Sequence, residues 1–205
     1  VLQMWDAEND LGRNGKDVPC NTNIYFKEDP TGRLQMTVSN RSNDIIWGAY
    51  GANAVHMSML HEYMASNIGR PVGKYYQISD NFHAYQKVYE TLLEKLLKRD
   101  ALDFYSQQNS IERNPYRTFK VSPYPMINVD PQLWDIDLIN FLDRIPFEDI
   151  DFNDRFFTEV AAPMQDAFWL HKSGKTEEAI IEIQNCAATD WKKACFEWLD
   201  RRLTK

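Results

Sequence analysis

The hydrophobic period of this chain changes at Asn53, and that change constrains the fold more than any other feature. Up to residue 50, apolar side chains fall in short β-branched or aromatic runs at residues 1–5, 23–26 and 34–39. Between the last two, Glu28-Asp29-Pro30-Thr31-Gly32-Arg33 carries Pro and Gly at turn offsets, which predicts an antiparallel pair. From Asn53 onward, Ala54, Met57, Leu60, Met64 and Ile68 form one apolar stripe at helical spacing, stopped by Gly69. Residues 75–78 read as a further strand. Tyr85, Val88, Tyr89, Leu92, Leu93, Leu96 and Leu97 make an amphipathic helix. Residues 118–121 and 126–129, around Pro123 and Pro125, read as two short strands, residues 135–142 as a helix, and residues 9–16 as a loop.

The last fifty residues differ. Segments 152–171, 176–185 and 188–203 are helical, with Phe156, Val160, Met164, Ile180, Ile183, Trp191, Cys195 and Trp198 as expected core positions. The fold class is therefore α+β: a mostly antiparallel sheet packed with helices, followed by an α-helical C-terminal segment. The expected division is a core over 1–150 and a helical extension over 151–205. At 205 residues the chain can bury one sizeable core, or two small ones.

Charge narrows the partners. A net charge of −7 with no basic run of five disfavours a nucleic-acid polymer, whereas a single nucleotide needs only one or two cations. Cys20, Cys186 and Cys195 are odd in number and form no disulfide framework, which points to a reducing compartment. The four histidines sit at no metal-ligand spacing, and His56 and His61, five apart, read as ordinary helix residues. No apolar run approaches eighteen residues and no leader pattern is present, so no membrane partner and a cytoplasmic location are expected. The chain opens at Val1 inside a strand-like run, which suggests further sequence upstream.

Four polar clusters follow in order: Pro19-Cys20-Asn21, Asn40-Arg41-Ser42-Asn43-Asp44, Gly51-Ala52-Asn53 and His83-Ala84-Tyr85. Cys20 is either a small buried hydrophobe or a nucleophile, and the second role needs a cation nearby, which Arg41 could supply by folding back. Arg41 and Ser42 offer a guanidinium fork and a hydroxyl for a phosphate, or Arg41 simply pairs with Asp44. Asn53 is either a helix N-cap or an amide facing a pyrimidine edge, where donor and acceptor side by side suit uracil. His83 and Tyr85, two apart on an extended stretch, could share a ribose hydroxyl or form a half-buried ring pair. Together the clusters read as a site that binds a nucleotide and attacks it covalently.

In this order the motifs resemble the thymidylate synthases and the related pyrimidine-nucleotide hydroxymethylases. Pro19-Cys20 is similar to the family's Pro-Cys-His, Arg41-Ser42-Asn43-Asp44 to its Arg-Ser-x-Asp, Asn53 to its helix-start Asn, and His83-Ala84-Tyr85 to its His-x-Tyr. The resemblance covers residues 1–85, more weakly 124–137. It implies catalytic roles for Cys20, Asn21, Asp44 and Asn53. It implies substrate contacts from Asn40, Arg41, Ser42, Asn53, His83 and Tyr85, and a folate contact from Asp44. The implied cosubstrate is 5,10-methylenetetrahydrofolate, without a metal, and the implied substrate is a pyrimidine deoxynucleoside monophosphate, dUMP before dCMP. The methyl product dTMP is the expectation, with a hydroxymethyl nucleotide as the alternative and an inactive nucleotide-binding module as the second. A homodimer is implied too. Asn21 stands where the family has His, Asn40 where it has Gln, and the stretch from Asp44 to Asn53 is one residue longer. The family's N-terminal third is missing, and the divergence is similar to that of bacteriophage members, which would place the protein in a host cytoplasm.

Overall fold

The computed structural model describes residues 1–13, 18–98 and 122–203. The chain divides into two compact units, Val1–Phe104 and Tyr105–Lys205. In the first, β1 (Leu2–Gln3), β2 (Asn21–Glu28), β3 (Leu34–Asp44) and β4 (Val72–His83) lie side by side in that order. The β1–β2 and β2–β3 pairs are antiparallel, and β3–β4 is parallel. The turn between β2 and β3 forms as expected. Asp29 Oδ1 accepts from the Thr31 and Arg33 amides, and Gly32 takes φ 79°, a left-handed conformation that glycine reaches without a Cβ penalty.

A parallel neighbour requires a crossover, and α2 (Ala52–Ile68) supplies it. The helix ends where Gly69, at φ 67°, turns its N–H back to the Ala65 and Ser66 carbonyls. Alternation on the strands sends Ile24, Met36 and Val38 to one face, where they pack on Met57 of α2 with Phe26, Leu60 and Tyr75 around them. The helix buries the line Met57, His61, Ala65, a face rotated from the apolar stripe read in the sequence, and Ile68 is 50% exposed. His61 sits on that buried face because its Nε2 meets the Leu34 carbonyl at 2.6 Å, so the ring nitrogen must carry the proton. The Tyr75 hydroxyl is buried with no partner among the described residues, and burial pushes it up to about 12. Two local expectations change: residues 7–10 form a helical turn, α1 (Ala7–Asp10), capped by Asp6, and the strand expected at 75–78 runs the length of β4. The helix α3 (Gln86–Lys98) follows β4.

The second unit is helical among its described residues: α4 (Pro131–Asp143), α5 (Ala162–Lys172), α6 (Thr176–Glu182) and α7 (Thr189–Leu203). A wide turn, Phe157–Ala161, runs directly into α5. One core gathers Trp134, Phe141, Phe152, Phe156 and Phe157, and a second gathers Ala167, Ala179, Ile183 and Leu199. Phe156, Val160 and Ile183 are buried as expected, but Trp191 and Trp198 lie on the exposed side of α7. Residues 126–129 are not a strand. Their backbone is held by side chains, Trp134 Nε1 donating to the Met126 carbonyl and the Asn128 amide to Asp154, so no ladder forms. The strand expected at 118–121 lies outside the described residues. Arg144 and Asp166 form a buried bidentate pair at 2.7 and 2.9 Å, which raises the Arg144 pKa further.

Candidate active site

β2 runs antiparallel to β3, so the start of β2 lies beside the end of β3, and β4, parallel to β3, ends there too. Register makes this concrete: Asn40 is opposite Asn21 on one side and Ser79 on the other, Ser42 is opposite Asn81, and Asp44 is opposite His83. All four polar clusters of the sequence therefore meet at one end of the sheet.

Cys20 is exposed immediately before β2, and its carbonyl accepts from the Arg41 amide at 3.0 Å. The Arg41 guanidinium does fold back, but onto the backbone ahead of the cysteine. Nε donates to the Pro19 carbonyl at 2.9 Å and one terminal nitrogen to Val18 at 3.2 Å, with the Trp5 ring 5.2 Å away. Arg41 thus holds the cysteine loop while staying exposed, and the alternative pairing with Asp44 is not what forms. Asp44 is buried and accepts from backbone: the Ile46 and Trp47 amides on Oδ1, and the Tyr85 amide on Oδ2.

Those bonds cap a wide π turn, Ile45–Ala49, closed by the Tyr50 amide on the Ile45 carbonyl. A turn closed by an i to i+5 bond holds one residue more than an α turn. Gly51 then caps α2 with no side-chain bond, so Asn53 is not the N-cap. Its Nδ2 instead donates to Asn43 Oδ1 at 3.2 Å. Asn43, 1% exposed, donates in turn to Gln77 Oε1 at 3.1 Å and Ser79 Oγ at 3.0 Å, and Gln77 Nε2 donates to the Ala49 carbonyl at 3.0 Å. A second amide chain crosses the sheet: Asn21 Nδ2 to Asn40 Oδ1 at 2.5 Å, and Asn40 Nδ2 to the Ile78 carbonyl at 3.2 Å.

The rings of His83 and Tyr85 meet edge to face, 5.2 Å apart, with His83 Nδ1 3.3 Å from the Asn81 carbonyl. Beside the π turn, Ile46, Trp47, Lys87, Val88, Thr91 and Leu92 line a largely apolar cavity of about 470 Å³, with Trp47 64% exposed. Sequence reasoning had missed Gly48, Gln77 and Ser79 and had left Asn43 without a role. The available signal was period-two polarity, Gln77 and Ser79 both falling on the inward face of β4. Among the described residues, no three His, Cys, Asp or Glu side chains gather as metal ligands, and no helix is long and apolar enough to cross a membrane.

Known proteins are similar to this chain in sequence. The chain is 46% identical over 206 residues to a deoxyuridylate hydroxymethyltransferase of Pseudomonas phage M6, an alignment covering 98% of this chain and 57% of that protein. It is 42% identical over 96 residues to a deoxyuridylate hydroxymethyltransferase of Bacillus phage SP01, covering 41% of this chain and 25% of that one. A thymidylate synthase of Streptococcus pyogenes serotype M3 is 30% identical over 138 residues, covering 64% of this chain and 48% of the enzyme. The chain thus spans little more than half the length of the first relative and less of the others. The family model for thymidylate synthase matches residues 1–131, the stretch that carries Cys20, Arg41, Asn53 and His83, and the chain belongs to the thymidylate synthase family.

Proposed function

We propose that the full-length protein transfers a one-carbon unit to C5 of 2′-deoxyuridylate and releases the 5-hydroxymethyl nucleotide. The observation that carries the chemistry is the convergence of Cys20, Arg41, Asn53 and the His83–Tyr85 pair at one sheet end. Cys20 Sγ adds to C6 of the pyrimidine, which makes C5 a carbon nucleophile. Methylenetetrahydrofolate supplies the one-carbon unit. After the carbon–carbon bond forms at C5, the C5 proton leaves and tetrahydrofolate departs with the electron pair of its carbon–nitrogen bond, which leaves an exocyclic methylene. Water adds to that carbon, and the electron pair returned to the ring expels Cys20 from C6. Arg41 and Ser42 hold the phosphate, with Arg41 already braced on Val18 and Pro19. Asn53 reads the base, His83 and Tyr85 take the sugar hydroxyl, and Asn21, tied to Asn40, stands beside the nucleophile.

The groove walled by Trp47 and Val88, with Lys87 at its rim, suits a flat heterocycle carrying an anionic tail. Asp44 sets that wall by fixing the Trp47 amide. The extent of the phage likeness favours hydroxymethyl, because it runs through both units, whereas the streptococcal thymidylate synthase aligns over 64% of the chain. A methyl product is the second reading, favoured by the family model itself. The sheet face opposite α2 presents Tyr25, Tyr76 and Ile78, each exposed, and we assign it to a second copy of the chain. The setting we infer is the cytoplasm of a phage-infected cell.

The test is full-length protein incubated with deoxyuridylate or deoxycytidylate and methylenetetrahydrofolate, with products read by mass spectrometry. A 5-hydroxymethyl nucleotide without dihydrofolate supports the proposal. A methyl product with dihydrofolate replaces it with the second reading, and no product from either nucleotide leaves a binding module.

A further inference from the structure

An asparagine is a poor judge between uracil and cytosine. Uracil presents an acceptor at O4 beside a donor at N3, and cytosine presents a donor at N4 beside an acceptor at N3. An amide that turns over by 180° exchanges its own oxygen and nitrogen and so fits either edge equally well. Discrimination needs something that prevents the turn. We propose that Asn43 and Gln77, with Ser79, form a positioning relay that locks the orientation of the Asn53 amide and thereby selects uracil. The inference rests on the reading above that Asn53 faces the base.

The argument runs from a fixed point. The Ala49 carbonyl can only accept, so the Gln77 group 3.0 Å from it must be the NH₂. That places Gln77 Oε1 at the other end, where it must receive a donor, and Asn43 Nδ2 lies 3.1 Å away. Ser79 Oγ takes the second Asn43 proton at 3.0 Å. Both Asn43 protons are then used, and its Oδ1 faces Asn53, where only a donor is tolerated. Asn53 presents Nδ2 to Asn43 and keeps one N–H and its Oδ1 for the base.

Turning Asn53 to suit cytosine would set its oxygen against Asn43 Oδ1. Turning Asn43 as well would set oxygen against Gln77 Oε1, and turning Gln77 would set oxygen against the Ala49 carbonyl. One backbone carbonyl therefore decides the orientation three side chains away. The site gives Asn43 little slack, since it is 1% exposed and a Cβ on Gly48 would meet both Asn43 Oδ1 and Asn53 Nδ2. No residue of the relay other than Asn53 needs to touch the nucleotide.

The test is the ratio of dissociation constants for deoxyuridylate and deoxycytidylate, measured by calorimetry on the full-length protein. Gln77→Met removes the anchor while keeping the volume, and leaves Asn43 facing only Ser79, whose hydroxyl donates or accepts equally well. The preference for deoxyuridylate should narrow by about tenfold or more, the scale of one well-made hydrogen bond. Asn43→Ser, which puts a hydroxyl of no fixed polarity against Asn53, should narrow it likewise and serves if the first variant does not fold. A folded variant of either kind that keeps the wild-type ratio overturns the relay, since general loosening weakens both nucleotides alike. Asn53→Ala separates the two layers of the argument. Unchanged deoxyuridylate affinity in that variant overturns the base contact itself, and loss of affinity there with unchanged ratios in the others overturns only the relay.

Discussion

Gly48→Ala places a methyl group where the Asn43–Asn53 bond runs. The added Cβ would lie 2.3 Å from Asn43 Oδ1 and 3.0 Å from Asn53 Nδ2, and the first of these contacts is far inside van der Waals range. Asn43 cannot swing clear without releasing Gln77 and Ser79 on its other side. Overpacking of this kind costs about 1–3 kcal/mol. Leaving the buried Asn43 oxygen without its donor adds about 1–3 kcal/mol. The sum, about 2–6 kcal/mol, is a large share of the about 5–15 kcal/mol that stabilises a typical domain. With a urea m-value of about 2 kcal/mol per molar, the midpoint should fall by about 1–3 M at unchanged slope. Deoxyuridylate affinity should fall by at least about tenfold, since that needs only about 1.4 kcal/mol at the amide proposed to read the base. A Gly48→Ala protein with the wild-type urea midpoint and the wild-type nucleotide affinity would refute both the crowding argument and the relay built on it.

Cys20→Ser should bind deoxyuridylate with near-native affinity yet release no C5 tritium from labelled nucleotide, because no adduct at C6 forms; retained release would remove the covalent step. At pH 8 iodoacetamide should modify Cys20 first, since Cys20 is exposed while burial raises Cys186 and pushes Cys195 up to about 11. A thiol at that value is about one part in a thousand thiolate at pH 8. Peptide mapping that finds Cys195 labelled as fast would contradict it. Asp166→Ala strands a buried guanidinium and an orphaned Phe147 amide, and should cost about 3–5 kcal/mol in urea unfolding. A loss under about 1 kcal/mol would mean that Arg144 finds another partner. Tyr75→Phe removes a buried hydroxyl without a partner and should raise stability by about 1 kcal/mol, whereas a loss of that size would reveal a bonded water.

The β2–β3 hairpin, α2 and the four polar clusters were legible because each depends on neighbours in sequence. Pro30 and Gly32 define the turn, and Gly69 ends the helix. What escaped depended on partners far along the chain. His61 read as an ordinary helix residue and is buried, because the Leu34 carbonyl, 27 residues away, satisfies its ring. Asn43 carried no role of its own in the sequence, and its bonds form only because β4 brings Gln77 and Ser79 alongside. Asn53 read as either a cap or a base-facing amide, and the π turn ahead of α2 gives the cap position to Gly51. Trp191 and Trp198 were assigned to the core on hydrophobicity alone, and α7 instead buries Leu199.

β4 is paired on one side only among the described residues, yet it carries Gln77 and Ser79, which hold Asn43 and through it the Asn53 amide. Edge strands exchange their amide protons through local fraying more readily than central ones. Each fraying event at Gln77 would free the amides behind it, so the base selectivity proposed for Asn53 would depend on strand dynamics as much as on pocket shape. It should relax with temperature before Cys20 and Arg41, both anchored on the β2–β3 pair, lose their places.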